Sequence, residues 1–330
     1  MREIDLSDIF TISNNADFEK MALQLFRFQA ENNAVYREYL SYLRVDVGNI
    51  KRVDEIPHMP IQFFKTHEVI TNPYGMPVQE TFKSSGTTGQ VRSVHEVLDR
   101  DLYKRSLLDG FERAYGSPEK YAFLGLLPNY LENKHASLIF MIKELMRASK
   151  GKHNGFFLDN FADLDLTVRL LEEENKPYIL FGVCYALIDF AEAYQPRIQH
   201  GIVMETGGMK GRRKEMTKQE LHELLRAKLQ VNDIHSEYGM TELLSQAYSK
   251  GDGVFHLPPW MRISIRDPYD PFAHLPAGRT GGVNVIDLAN VYSCAFIETQ
   301  DLGKVDAAGR FEIAGRFDQA ELRGCNLLVV

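Results

Sequence analysis

Between residues 81 and 245 short apolar runs alternate with stretches of helical periodicity, and that alternation leaves few folds open. The runs are Tyr121-Ala122-Phe123-Leu124-Gly125-Leu126-Leu127, Tyr178-Ile179-Leu180-Phe181 and Gly201-Ile202-Val203-Met204. Helical patterning falls near 99–115, 136–149, 163–175, 184–194 and 217–229. A strand that is apolar at successive positions is buried on both faces, and helices between such strands supply the cover, so layered parallel α/β structure is expected. After Gln246 the helical period disappears. Trp260-Met261-Arg262-Ile263-Ser264-Ile265, Gly282-Val283-Asn284-Val285-Ile286 and Ser293-Cys294-Ala295-Phe296-Ile297 read as strands divided by Pro/Gly turns, which predicts a small β-barrel subdomain. Ahead of residue 81, Phe18, Met21, Ala22, Leu25, Phe26 and Phe28 mark a helical stripe within 16–43, with a second helix after Asn33. Such a stripe packs on the main body or grips an apolar ligand.

The chain has 330 residues, 44% hydrophobic and 25% charged, which is enough for two or three compact units with real cores. A formal net charge of −7 argues against a nucleic-acid partner, which favours a basic face. The one basic cluster, Lys210-Gly211-Arg212-Arg213-Lys214, reads as a solvated loop. Cys184, Cys294 and Cys325 lack metal-ligand spacing and cannot all pair, so a reduced, cytoplasmic protein is expected. Met1-Arg2-Glu3-Ile4-Asp5 shows no apolar leader, and no run is long enough to span a bilayer. No internal repeat or low-complexity linker is present.

Three strings bear on chemistry. Lys83-Ser84-Ser85-Gly86-Thr87-Thr88-Gly89 combines four hydroxyls and two glycines after the extended Gln79-Glu80-Thr81-Phe82, with Arg92 shortly beyond. Hydroxyls and bare backbone N–H groups suit phosphate oxygens. Gln90-Val91 follows, so the Walker pattern, with its Lys-Ser/Thr pair, is excluded. A surface turn rich in small polar residues is the other reading of this string alone. Tyr238-Gly239-Met240-Thr241-Glu242 follows an apolar-polar run at a predicted strand-to-helix turn. Gly315-Arg316-Phe317-Asp318 lies near the C-terminus, behind Glu298-Thr299-Gln300-Asp301-Leu302-Gly303.

In this order the three strings resemble those of the adenylate-forming superfamily of acyl-CoA synthetases, luciferases and adenylation domains. Ile56-Pro57-His58-Met59-Pro60-Ile61-Gln62-Phe63-Phe64-Lys65 narrows the likeness. It is similar to the Pro-x-x-Pro-x-x-x-Phe-Lys segment of LuxE-type acyl-protein synthetases, as is the ending Glu321-Leu322-Arg323-Gly324-Cys325-Asn326-Leu327-Leu328. The resemblance implies an α/β adenylate-forming domain lacking the usual mobile C-terminal domain, since only twelve residues follow Asp318. It implies ATP and Mg2+ as cofactors. The expected division is an N-terminal helical segment at 1–80, α/β nucleotide- and acyl-binding subdomains at 81–245, the small β subdomain at 246–314, and a hinge and tail at 315–330.

The resemblance also gives residues roles. Ser84, Ser85, Gly86, Thr87, Thr88 and Gly89 hold ATP phosphates, and Tyr238, Gly239 and Thr241 lie at the nucleotide. Gly207-Gly208 lets adenine lie on bare backbone, or is a plain turn. Glu242 is the magnesium ligand, suited to a hard cation, or a first-turn glutamate favoured by a helix dipole. Asp301 holds the ribose hydroxyls, or is a turn residue. Arg316 grips ribose or phosphate through its fork, or is a surface arginine in a strand connection. Lys65 helps hold phosphates or caps a turn, and His135 lies near the acyl side or is solvated. Cys325 accepts the acyl group as a thioester, with Arg323 favouring its thiolate, or is a buried residue of an apolar terminal strand. The expected activity converts a fatty carboxylate and ATP to acyl-AMP and then acyl-S-Cys325, with an acyl reductase or carrier as partner. Alternatives are a ligase using coenzyme A or a carrier thiol, and a noncatalytic nucleotide-binding scaffold.

Overall fold

The computed structural model describes residues 4–85, 91–128, 135–207, 213 and 216–317. The chain divides into two compact units: Met1–Ser106 with Met240–Ser245 and Leu257–Val330, and Leu107–Gly239 with Gln246–His256.

The second unit is built on a six-stranded sheet. Gly155–Phe157, Ala122–Leu126, Tyr178–Val183, Gly201–Thr206 and Ile234–Tyr238 lie side by side in that order, all parallel, and Ala247–Ser249 adds an antiparallel edge. Every residue of the central strand Tyr178–Val183 is buried, which is why its sequence does not alternate. Parallel neighbours need long crossovers, and the helices Ser137–Ser149, Phe161–Glu173, Cys184–Tyr194 and Lys218–Leu229 provide them. Lys218–Leu229 starts on a capping box: the Glu220 N–H donates to Thr217 Oγ1 at 3.2 Å, and the Thr217 N–H donates to Glu220 Oε2 at 2.7 Å. It buries Leu221, Leu225 and Leu229, spaced one turn apart.

In the first unit the stripe Phe18, Met21, Ala22, Leu25, Phe26 and Phe28 is buried on the helix Asn15–Asn32, and Phe26 meets Phe296 edge-on at 6.0 Å. The stripe is core. Asn33 ends this helix and caps the next, Ala34–Tyr42: its Oδ1 accepts from the Tyr36 N–H at 2.9 Å. A hairpin pairs Glu80–Lys83 with Val94–Val97. The strands expected as a barrel subdomain form an antiparallel sheet of Met261–Arg266, Gly281–Asp287, Phe296–Val305 and Phe311–Arg316, and Met59–Pro60 joins it in parallel beside Ile297–Glu298. Ser293 and Cys294, expected inside the third strand, precede it. The Ser293 carbonyl is taken by the Asn33 amide at 3.0 Å and the Thr71 hydroxyl at 2.6 Å, so it is not free for a ladder. Among the described residues no helix is long and apolar enough to cross a membrane.

Candidate active site

The hairpin that leads into the hydroxyl-rich loop is tied to the Thr241–Glu242 turn through His95 and Ser93. At its base the Ser84 N–H donates to the Ser93 carbonyl at 3.0 Å, and the Ser93 N–H donates to Ser84 Oγ at 2.9 Å. Ser93 and His95 alternate along the chain and are both buried, so both point away from solvent. The Ser93 hydroxyl acts on the Glu242 carboxyl and favours its ionised form. His95 Nδ1 donates to the Thr241 carbonyl at 2.8 Å, and burial holds that ring neutral, near 4. Ser85 is exposed at the start of the loop; Gly86, Thr87, Thr88 and Gly89 lie outside the described residues.

Glu242 does not begin a helix. The Leu243 N–H closes a turn on the Met240 carbonyl at 3.2 Å, and the chain runs on to the strand Ala247–Ser249. The expected strand-to-helix junction is corrected here, and with it the helix-dipole account of Glu242. The cause is Asp287. Its carboxylate accepts the Leu244 and Ser245 N–H groups at 2.9 Å each and the Ser245 hydroxyl at 2.6 Å, so these donors are held by a side chain. Asn290 Nδ2 donates to the Glu242 carbonyl at 2.8 Å. Glu242 is 5% exposed. Burial pushes its carboxyl above the ordinary glutamate range, Ser93 pulls it back, Asp301 pushes it up and Arg316 pulls it down.

Asp301 lies inside the strand Phe296–Val305 and so is not a turn residue; its Cα partner on the next strand is Arg316. Glu242, Asp301 and Arg316 therefore share one electrostatic neighbourhood in the first unit. Beside Asp301, the Thr299 hydroxyl donates to the Val283 carbonyl at 2.8 Å and accepts the Asp301 N–H at 3.1 Å. The Pro-x-x-Pro segment reaches the same neighbourhood: the Ile61 N–H donates to the Glu298 carbonyl at 2.9 Å, and Phe64 packs edge-on to His95 at 5.6 Å. Lys65 is exposed at the end of the short helix Phe63–Thr66, with no ion pair among the described residues.

In the second unit the remaining residues sit at the carboxyl ends of parallel strands, where α/β sheets bind ligands. Gly207 follows Gly201–Thr206 at φ 72°, a conformation glycine adopts freely; Gly208 lies outside the described residues. Tyr238 is buried with its ring edge-on to Phe255 at 5.8 Å. A Cβ on Gly239 would lie 2.4 Å from Glu237 Oε1, so the glycine makes room for that carboxyl. Thr206 Oγ1 donates to Glu237 Oε2 at 2.6 Å. Burial raises the Glu237 carboxyl to about 7, against the pull of Thr206. One residue back, Glu205 is brought to about 2: burial opposes ionisation, but Lys218 at 2.7 Å, His222 and Ser236 outweigh it. Cys184 donates to the Gly207 carbonyl at 3.0 Å and to Glu205 at 3.4 Å. Arg213 of the basic cluster pairs with Glu192 at 2.7 Å and with Asp189, a structural engagement. His135 is exposed ahead of Ser137–Ser149, and Cys325 lies outside the described residues.

Sequence reasoning missed Ser93, His95, Asp287 and Glu237. Ser93 and His95 left a signal, two polar residues at alternate positions with Val94 between them. Asp287 left none, because its partners on the acidic turn, Leu244 and Ser245, are more than forty residues away.

The residues present fit a magnesium ion. A buried carboxyl raised by its own burial and by a second carboxylate, Asp301, is relieved by a cation. Among the described residues no three His, Cys, Asp or Glu side chains converge on one point.

The fold is that of adenylate-forming ligases. An open 2-hydroxyisobutyryl-CoA ligase complexed with 2-HIB-AMP and CoA superposes with a TM-score of 0.69, at 13% identity, over 92% of this chain and 70% of that one. ATP-bound MatB from Rhodopseudomonas palustris gives 0.54, at 19% identity, over 72% and 47%. The amide bond synthetase McbA from Marinactinospora thermotolerans gives 0.50, at 18% identity, over 72% and 48%. The match thus spans about half the length of MatB and McbA. No curated protein matches the chain. The family model "Acyl-protein synthetase, LuxE" matches residues 7–330, and the chain belongs to that family.

Proposed function

We propose that this protein activates a carboxylic acid, of fatty type, with ATP and transfers the acyl group to its own Cys325. In the first half-reaction a carboxylate oxygen attacks the α-phosphorus of ATP, the bond to the bridging oxygen breaks, and pyrophosphate leaves. In the second, the Cys325 sulfur attacks the acyl carbon, losing its proton, and AMP leaves. The observation that carries the reading is the hydrogen bond from His95 to the Thr241 carbonyl, with Ser93 acting on the Glu242 carboxyl, which joins the phosphate-loop hairpin to the acidic turn.

The residues divide the work. Ser84, Ser85 and the loop from Gly86 to Gly89, with Thr87 and Thr88, donate to phosphate oxygens. Glu242 would hold magnesium, which when bound neutralises charge on the phosphates. Asp301 accepts from ribose hydroxyls and Arg316 donates beside it. Gly207, Gly208, Tyr238, Gly239 and Thr241 receive the base and its sugar. Lys65 supplies a cation to the phosphates. The segment 315–330 acts as hinge and tail, bringing Cys325 to the adenylate, and the product acyl group passes to a reductase or carrier. A cytoplasmic site follows from the demand for ATP and a reduced thiol.

A second reading sends the acyl group to coenzyme A; the 2-hydroxyisobutyryl-CoA ligase, solved with CoA, favours it. Carboxylate-dependent exchange of labelled pyrophosphate into ATP tests the first step shared by both readings. A hydroxylamine-labile acyl label on the protein separates them.

A further inference from the structure

Arg266 is a buried cation that no step of the adenylation chemistry uses. It is 5% exposed and ends the strand Met261–Arg266. Its directly opposed residue on Gly281–Asp287 is Gly282. A Cβ on Gly282 would lie 2.5 Å from the guanidinium carbon, so the arginine passes over bare backbone there. It reaches beyond that strand to the next. Nη2 donates to the Thr299 carbonyl at 2.7 Å, and Nη1 donates to the Val283 carbonyl and to Asn284 Oδ1 at 3.0 Å each. Glu298 Oε1, 3.4 Å from Nη2, supplies the counter-charge.

These acceptors mark a break in the sheet. Gly282 pairs with Leu302 and Asn284 pairs with Glu298, so Val283 alone faces Thr299, Gln300 and Asp301. Such a bulge leaves backbone groups without regular ladder partners, and bulges beside active sites re-aim a side chain. Val283 and Thr299 are buried, where a carbonyl without a donor is costly. The Arg266 fork gives both carbonyls a donor. The Thr299 hydroxyl ties the bulge from within, donating to the Val283 carbonyl and accepting the Asp301 N–H. Asp301 is the last residue of the bulge, close enough for its charge to act on Arg266.

We propose that Arg266 is a positioning residue of the nucleotide site: by crossing Gly282 and taking the carbonyls of Val283 and Thr299, it holds the bulge Thr299–Asp301 in the shape that presents Asp301 to the ribose hydroxyls. This rests on the ribose role proposed for Asp301. Arg266 itself touches no nucleotide and acts through the backbone that carries the carboxylate.

The affinity of the full chain for ATP against 2′,3′-dideoxy-ATP, read by calorimetry with magnesium present, tests it. The two nucleotides differ only in the hydroxyls that Asp301 would accept from. The unaltered chain should bind ATP at least about tenfold more tightly, the contribution of a charge-assisted hydrogen bond. Arg266→Met keeps an apolar stem and lacks the fork. It should cut that ratio to about threefold or less and leave the affinity for dideoxy-ATP within about twofold. Gly282→Ala keeps Arg266 but puts a methyl group where its guanidinium passes, and should cut the ratio in the same way. Asp301→Asn should cut it too, and adding Arg266→Met or Gly282→Ala to Asp301→Asn should change it no further, since one residue acts through the other. An arginine that only stabilised the sheet would weaken both nucleotides alike and leave the ratio intact. If Arg266→Met fails to fold, Gly282→Ala and its combination with Asp301→Asn decide. A full ratio in Arg266→Met, or in Gly282→Ala where Arg266→Met does not fold, overturns the proposal while Asp301→Asn still loses the ratio. A full ratio in Asp301→Asn overturns the ribose role itself, and this proposal with it.

Discussion

Asp301 and Arg316 stand directly opposite each other across the antiparallel pair of Phe296–Val305 with Phe311–Arg316. Side chains at such positions share a face and interact, so in the proposed ribose site the two residues would act as a pair. Their joint position beside Glu242 gives the first unit an acceptor, a fork of donors and a buried carboxyl in one neighbourhood.

Asp301→Asn is expected to raise the KM for ATP by about tenfold or more, the loss of a charge-assisted hydrogen bond, with a smaller effect on kcat. Arg316→Ala should also raise KM, and the double variant should lose less than the two single losses combined, since neighbours couple. Strict additivity, or an unchanged KM in Asp301→Asn, would remove the ribose assignment.

Ser93 favours the ionised form of Glu242. Without it the Glu242 pKa rises further, so Ser93→Ala should move the acid limb of the adenylation pH profile to higher pH. Glu242→Ala should lower exchange by a hundredfold or so at any pH, the loss of metal-held charge neutralisation, while folding normally. A Ser93→Ala profile that scales down without shifting would leave Ser93 a packing residue only.

Much of this fold was legible in the sequence. The apolar runs at Tyr178 and Gly201 are uninterrupted because both faces of those strands are covered, and helices of the expected extent lie between them. The turn at Glu242 was misread because local pattern cannot show Asp287 taking the N–H groups of Leu244 and Ser245 from across the chain. Asp301 was legible as a candidate, but its pairing with Arg316 depends on strand register, which an irregularity at Leu302/Gly303 resets.

Glu237 should make stability depend on pH. Its folded carboxyl titrates near about 7, above the ordinary value of 4.5. The folded protein therefore keeps a proton that the unfolded chain gives up between these values. The resulting stability is full below about 4.5 and is lost as pH rises through 7, a change of about 3 kcal/mol. Glu237→Gln keeps an acceptor for Thr206 and cannot ionise, so it should flatten the slope of Tm between pH 5 and 8 and raise Tm at pH 8. An unchanged slope would mean that Glu237 ionises freely in the fold.

Of the three cysteines, only Cys325 is expected to hold an acyl group. Burial pushes the Cys294 thiol up to about 12 and, with Glu205, lifts Cys184 well above its ordinary range, so neither offers thiolate at neutral pH. Cys184→Ser and Cys294→Ser should keep a hydroxylamine-labile label, and Cys325→Ser should lose it while still exchanging pyrophosphate. A full label in Cys325→Ser would place the acyl group on another residue of the protein, and no label on any variant would move the acceptor role to an external thiol.

Exchange of labelled pyrophosphate into ATP, run with and without carboxylic acids of graded chain length, tests the central claim most directly. The account predicts exchange that needs both an acid and magnesium, is strongest for fatty acids, and survives in Cys325→Ser. A folded protein that binds ATP but shows no acid-dependent exchange across the whole series would contradict it.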